Sequence, residues 1–205
     1  MFPPLYPIVD TATCVRVGRD PLELARACVA GGAMVVQLRA KELGSGAFLD
    51  LARALVAAVA PMGGRVIVND RADIAALAGA AGVHVGQDDL PVDAVRAIVG
   101  RDAIIGLSTH TEVQLEDGLV SGADYLAIGP VFGTGTKDTG YEPVGLPLVR
   151  RAAALAGARN IPLVAIGGIT LERAPSVIEA GAATVAVIGD LVTADTRARV
   201  RAWLA

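Results

Sequence analysis

Aromatic residues are scarce. They make up 3% of the 205 residues, as one Trp, three Tyr and three Phe, so the interior must be built from Ala, Val, Ile and Leu. That suits helices packed on a parallel sheet, whose strands are buried on both faces and read as unbroken aliphatic runs. Cysteine is nearly absent: Cys14 and Cys28 have neither metal-ligand nor redox spacing, and Cys28 falls in an apolar helical pattern. A buried free thiol in a reducing compartment is expected. Blocks of one charge are missing, and a formal net charge of -3 gives no electrostatic basis for binding nucleic acid. No apolar run approaches the ~20 residues that cross a bilayer, and Met1-Phe2-Pro3-Pro4 lacks the charged and apolar regions of a secretory signal. A cytoplasmic location and no membrane partner are expected. Low-complexity stretches and linkers with a shifted composition are also lacking, which predicts one domain over residues 1–205.

What is present is alternation. Short aliphatic runs (Leu5 to Val9, Met34 to Leu38, Arg65 to Val68, Gly82 to Val85, Ala103 to Leu107, Tyr125 to Ile128, Pro162 to Ile166, Thr184 to Ile188) read as strands. Helical patterns separate them. Asp20-Pro21 offers an N-cap followed by proline at the first helical position. Ser45 is expected to cap the next helix, where Phe48, Leu51, Leu55 and Val59 share one stripe. Asp70 or Asp73 is expected to open a short Ala-rich helix, and the last helix is expected from about Val192 to Leu204. Eight strands alternating with eight helices predict a single-domain α/β (β/α)₈ TIM barrel. A doubly wound open sheet is the other possibility, but no Gly-x-Gly-x-x-Gly follows the first strand, where a dinucleotide-binding sheet would need it.

In such a barrel the chemistry gathers at the C-terminal ends of the strands. Strand two runs into Gln37-Leu38-Arg39-Ala40-Lys41. In extended chain Gln37, Arg39 and Lys41 share one face, with Leu38 and Ala40 turned to the helices. Two cations so close call for an anion. Strands three and four lead to Asn69-Asp70 and to Gly86-Gln87-Asp88-Asp89, whose carboxylates suit Mg²⁺, a cation that takes one or two carboxylates plus phosphate and water. Strand five ends in Ser108-Thr109-His110. His84, inside an apolar strand, reads as a hydrogen-bonded structural histidine. After strand six comes Gly129-Pro130-Val131-Phe132-Gly133-Thr134-Gly135-Thr136-Lys137, with backbone amides, hydroxyls and one ammonium that suit a phosphate. Its spacing is not that of a Walker A loop. Gly167-Gly168 and Ile188-Gly189-Asp190 bring bare amides after strands seven and eight, a recurring phosphate position in barrels.

These motifs resemble the thiamin phosphate synthase family. The likeness covers nearly the whole chain and is carried by Gln37 to Lys41, Asn69-Asp70-Arg71, His84 to Asp89, Ser108 to Thr111, Gly129 to Phe132, Thr136-Lys137 and Ala165 to Ile169. It implies a transferase that joins hydroxymethylpyrimidine pyrophosphate to a thiazole phosphate or its carboxylated form, releasing pyrophosphate. It further implies Mg²⁺ on Asp70 and Asp89. Pyrimidine pyrophosphate contacts fall to Gln37, Arg39, Lys41, Asn69, Ser108 and Lys137, of which Arg39, Lys41, Ser108 and Lys137 are the catalytic set; Leu38, Ala40 and Gly135 complete the substrate-binding set. Thiazole phosphate contacts fall to Thr134, Thr136, Gly168, Ile188 and Gly189. The chain departs from the family at Gly189, where serine is common, and at Gly133, where proline is frequent.

Two other readings compete. A thiazole tautomerase of similar sequence would use a histidine placed like His110 and needs no pyrophosphate site. A non-catalytic barrel would only bind a phosphorylated metabolite. The combined set of Arg39, Lys41, Asp70, Asp89 and Lys137 argues against both. The expected partners are small phosphorylated substrates, and a homo-oligomer is left open.

Overall fold

A computed structural model describes residues 3–133 and 140–205. The strands are β1 (Leu5–Asp10), β2 (Val35–Arg39), β3 (Arg65–Asn69), β4 (Gly82–Val85), β5 (Ile104–Thr109), β6 (Tyr125–Ile128), β7 (Leu163–Ile166) and β8 (Thr184–Val187). All neighbours pair in parallel and β8 returns to β1, closing the barrel in sequence order. The helices are α1 (Thr11–Arg16), α2 (Pro21–Ala30), α3 (Ser45–Val59), α4 (Ala72–Ala78), α5 (Val92–Val99), α6 (Glu112–Gly118), α7 (Gly145–Gly157), α8 (Ala174–Glu179) and α9 (Thr196–Leu204).

Side-chain alternation along each strand divides the core in two. Outward residues such as Leu5, Val36, Leu38, Val68, Val83, Ile105, Leu126 and Val185 pack against the helices in one cluster. Inward residues form a smaller cluster of Tyr6, Ile8, Val35, Ile67, Tyr125, Ala127, Val164 and Ala186. Most of this material is aliphatic, as the aromatic scarcity requires, but both fully buried tyrosines face inward. Cys14 and Cys28 are free and buried, and burial pushes the Cys28 thiol up to about 12.

Several element starts differ from expectation. α1 is an additional helix directly after β1; Asp10 caps it by accepting from the Thr13 amide at 2.8 Å. Ser45 does not cap α3. It is the first helical residue, behind Gly44, and its hydroxyl accepts from Arg71 at 3.0 Å. Asp70 caps no helix either: α4 starts behind Arg71, and Asp70 has a φ of +63°. α9 begins at Thr196, not Val192, because Asp195 caps it and a 3-10 turn at Gly189–Leu191 precedes it. Asp20 caps α2 as expected, accepting from the Glu23 amide at 2.9 Å.

Ser45–Met62 is the one stretch among the described residues long and apolar enough, by length and composition, to cross a bilayer. In the sequence it reads as an amphipathic barrel helix. On the barrel it buries Phe48, Ala52, Leu55 and Val59 while Asp50 and Arg53 stay on its exposed side.

Candidate active site

A cavity of about 590 Å³ opens at the C-terminal ends of the strands. β2 and the turn after it deliver Gln37, Arg39 and Lys41 to one wall, as period-two alternation requires. Arg39 is held from below by Asp10, its neighbour in the β1–β2 register, through a 2.5 Å ion pair. Burial alone would raise the Asp10 carboxyl, but the hydrogen bonds from Thr13 and Arg39 outweigh it and hold the group below the usual carboxylate range. The Arg39 Nε is buried with no acceptor among the described residues, so this guanidinium still has donor capacity.

Leu38 and Ala40 of the expected substrate-binding set turn their side chains away from the cavity. Both are buried in the barrel–helix core and neither lines the cavity. The same alternation that aims Gln37 and Arg39 inward turns these two side chains away.

The carboxylates arrive from the next two strands. Asp70 follows β3 and pairs with the Lys41 ammonium at 3.1 Å. Asp89 follows β4, accepts from the Gly86 amide at 2.7 Å, and lies close enough to Asp70 to share a hydrogen bond. Burial first, then the Asp70 charge, raise the Asp89 carboxyl despite the opposing Gly86 amide and Lys41. Two adjacent carboxyls that repel each other are a donor pair for a cation. Among the described residues no group of three or more His, Cys, Asp or Glu is clustered as a metal site. A pair alone fits Mg²⁺, which draws its remaining oxygens from phosphate and water, better than metals bound by full side-chain cages.

Asn69, Ser108 and His110 also line the cavity. His84 is hydrogen-bonded, as expected, with Nδ1 2.8 Å from the Tyr125 hydroxyl and Nε2 2.8 Å from Ser108 Oγ, but it lines the cavity as well. His110 stacks on Tyr141 at 4.0 Å, and its Nδ1 lies 2.5 Å from the Gly129 carbonyl.

Across the cavity stand Gly168, Ile188 and Gly189. Gly168 has a φ of +63°, and a Cβ there would sit 2.6 Å from the Gly133 carbonyl oxygen, so only glycine brings this backbone so close to the loop after β6. Arg173 was not anticipated. It donates to the Gly168 carbonyl at 2.8 Å, lies 5.0 Å above the Phe132 ring and lines the cavity. Asp10, Tyr6 and Tyr125 were also missed; the only sequence signal was a polar atom in or just after an aliphatic strand. Thr134, Gly135, Thr136 and Lys137 lie outside the described residues.

The arrangement provides a cationic, carboxylate-bearing wall opposite a glycine-lined one, with a polar floor between them. Such a site can take a polyanion on one side and a second anionic group on the other.

Known proteins match this chain over most of its length. The family model for thiamine monophosphate synthase matches residues 5–191. The thiamine-phosphate synthase of Moorella thermoacetica is 41% identical over 96% of this chain and 92% of its own. That of Koribacter versatilis is 44% identical over 98% and 94%. Among solved structures, the thiamine phosphate pyrophosphorylase from Pyrococcus furiosus superposes with a TM-score of 0.84 at 29% identity, covering 97% of this chain and 92% of its own. With the closed barrel and the two-walled cavity, these matches establish that the chain belongs to the thiamine-phosphate synthase family of transferases.

Proposed function

We propose that this transferase joins hydroxymethylpyrimidine pyrophosphate to a thiazole phosphate, or its carboxylated form, giving thiamin phosphate and pyrophosphate. The observation that carries the reading is the convergence of Arg39, Lys41, Asp70 and Asp89 from three successive strand ends on one cavity wall. A pyrophosphate leaving group makes use of that combination; a barrel that only binds a phosphorylated metabolite needs no leaving-group stabilisation.

The route is dissociative. The bond between the pyrimidine methylene and the pyrophosphate oxygen breaks first, its electron pair leaving with pyrophosphate. The electron-rich aminopyrimidine stabilises the resulting methylene cation. The lone pair of the thiazole nitrogen then forms the new carbon–nitrogen bond, and a carboxylated thiazole also loses CO₂. No side-chain nucleophile takes part. Negative charge grows on the departing pyrophosphate, so preorganised donors placed there lower the barrier more than they tighten substrate binding. Arg39, fixed by Asp10, and Lys41, fixed by Asp70, are such donors, and Lys137 joins them on sequence grounds. Asp70 and Asp89 would hold Mg²⁺, which when bound adds positive charge to the leaving group. Gln37, Asn69 and Ser108 orient the pyrimidine. Gly168, Ile188 and Gly189 receive the thiazole phosphate through backbone amides, with Arg173 adding a cation on that side.

The tautomerase alternative would draw on His110. Its ring is already engaged by Tyr141 and the Gly129 carbonyl, and an isomerisation that expels no anion has no use for the charged wall. A coupled assay of pyrophosphate release and thiamin phosphate formation, with Mg²⁺ and each thiazole form, tests the proposal. Absence of product with both forms would overturn it.

A further inference from the structure

The chain has three tyrosines and two histidines. Two of those tyrosines and one of the histidines lie inside the barrel in a single hydrogen-bonded chain. Gln37 Nε2 on β2 donates to Tyr6 Oη on β1 at 3.1 Å. Tyr6 Oη lies 3.2 Å from Tyr125 Oη on β6. Tyr125 Oη meets His84 Nδ1 on β4 at 2.8 Å, and His84 Nε2 meets Ser108 Oγ on β5 at 2.8 Å. The three central residues are 1%, 0% and 7% exposed for Tyr6, Tyr125 and His84.

The barrel is shaped to hold this chain. Register aligns His84 with Gly106 and Gly106 with Tyr125 on adjacent strands. A Cβ on Gly106 would stand 2.0 Å from Tyr125 Cζ and 2.5 Å from His84 Nδ1. The missing side chain therefore lets histidine and tyrosine reach each other across β5. Their rings stack at 5.5 Å and 25°, and Tyr6 meets Tyr125 edge-on at 6.0 Å. Aliphatic residues would fill the same space without needing partners; buried hydroxyls and an imidazole require them.

We propose that Tyr6, Tyr125 and His84 are positioning residues: they form a polarised hydrogen-bond relay that couples the Gln37 amide to the Ser108 hydroxyl. The relay thereby sets which donor and acceptor faces the cavity offers to the heterocycle. The Gln37 N–H occupies the Tyr6 oxygen, the Tyr6 O–H donates to the Tyr125 oxygen, and the Tyr125 O–H donates to His84 Nδ1. The imidazole then carries its proton on Nε2 and donates to Ser108 Oγ. Gln37 keeps Oε1 as an acceptor towards the cavity, and Ser108 keeps its own O–H as a donor. A heterocycle with an amino donor beside a ring-nitrogen acceptor satisfies both ends; one with those groups exchanged meets donor with donor. This inference rests on the reading that the pyrimidine binds here.

Two measurements test it. Ring ¹⁵N shifts of His84 in the unsubstituted protein, without substrate, should report the Nε2–H tautomer; an Nδ1–H tautomer overturns the relay. In steady-state kinetics, Tyr6→Phe keeps the ring and removes the oxygen. It should raise KM for the pyrimidine pyrophosphate about 3–10-fold and leave KM for the thiazole phosphate unchanged. Combined with Ser108→Ala, which is linked to Tyr6 through His84 and Tyr125, the effects on the pyrimidine KM should fall short of the product of the single effects by about 3-fold or more. Effects that simply multiply mean two independent contacts and no relay. If the unsubstituted protein makes no thiamin phosphate, the functional reading fails, while the tautomer still decides the relay. The tautomer measurement also stands if a variant fails to fold.

Discussion

At the scale of single residues, Asp10 shows how one side chain serves fold and chemistry together. It ends β1, caps α1 through the Thr13 amide and holds the Arg39 guanidinium that faces the cavity. Its carboxyl is depressed in the folded protein, since the hydrogen bonds from Thr13 and Arg39 overcome the opposing effect of burial. A carboxyl with a native pKa below its unfolded value stabilises the fold above the unfolded value, about 3.9. That contribution is lost as pH falls through the depressed native value. Asp10→Asn preserves the cap oxygen but leaves Arg39 without its counter-charge in a largely buried place. The cost expected at pH 7 is about 2–3 kcal/mol, or a Tm lower by about 5–10 °C. Melting curves of both proteins at pH 7, 5 and 3 should show the gap closing only below about pH 4. A gap that stays constant to pH 3 would mean the carboxylate charge is not its source.

At the scale of elements, the 3-10 turn at Gly189–Leu191 is tied to the last helix. Asp190 accepts two bonds from Arg199, at 2.7 and 3.0 Å, and one from Trp203 Nε1 at 2.8 Å. α9 thus braces the turn that carries Gly189 at the cavity. Asp190→Asn removes the charge from this tie at a mostly buried site but keeps an oxygen for Arg199 and Trp203, so stability should fall by about 1–3 kcal/mol. KM for the thiazole phosphate should rise several-fold while KM for the pyrimidine pyrophosphate stays put; equal changes in both would show that the turn does not act on one wall alone. The alternation of strands and helices could be read directly from the chain, because each strand is a compact aliphatic run. α1 could not, because its six residues lie between β1 and the strong Asp20-Pro21 start signal and carry no helical stripe. Gln37, Arg39 and Lys41 were legible through period two, and the same rule turned Leu38 and Ala40 outward, so any contact of these two with substrate falls to their backbone. The relay was not legible. It joins strands β1, β2, β4, β5 and β6, and only barrel closure and register bring their inward side chains together.

At the scale of the whole molecule, most ion pairs join one acid to one base, and the cavity wall departs from that pattern. The net charge is only -3, yet Asp70 and Asp89 are placed side by side with Lys41 paired to one of them. Partial burial and mutual repulsion make the Asp89 carboxylate unfavourable in the ligand-free protein. On the proposed function, this strain is relieved when a cation and a polyanion bind, a common trade between stability and activity. Asp89→Asn keeps an oxygen for the Gly86 amide and removes the repulsion. Its Tm at pH 7 should therefore equal or exceed the parent's by about 1–3 °C, while turnover falls by about 100-fold or more because leaving-group stabilisation is lost. Lys41→Ala should lower turnover comparably, yet by leaving Asp70 and Asp89 uncompensated it should lower Tm. Chelation of divalent ions should abolish activity in the parent and leave its Tm, measured without substrate, unchanged or slightly lowered. The opposite signs of the two stability changes, beside the shared loss of turnover, separate a functional charge cluster from a structural ion-pair network. If Asp89→Asn lowers Tm as Lys41→Ala does, the carboxylate is holding the fold together and the pair is structural.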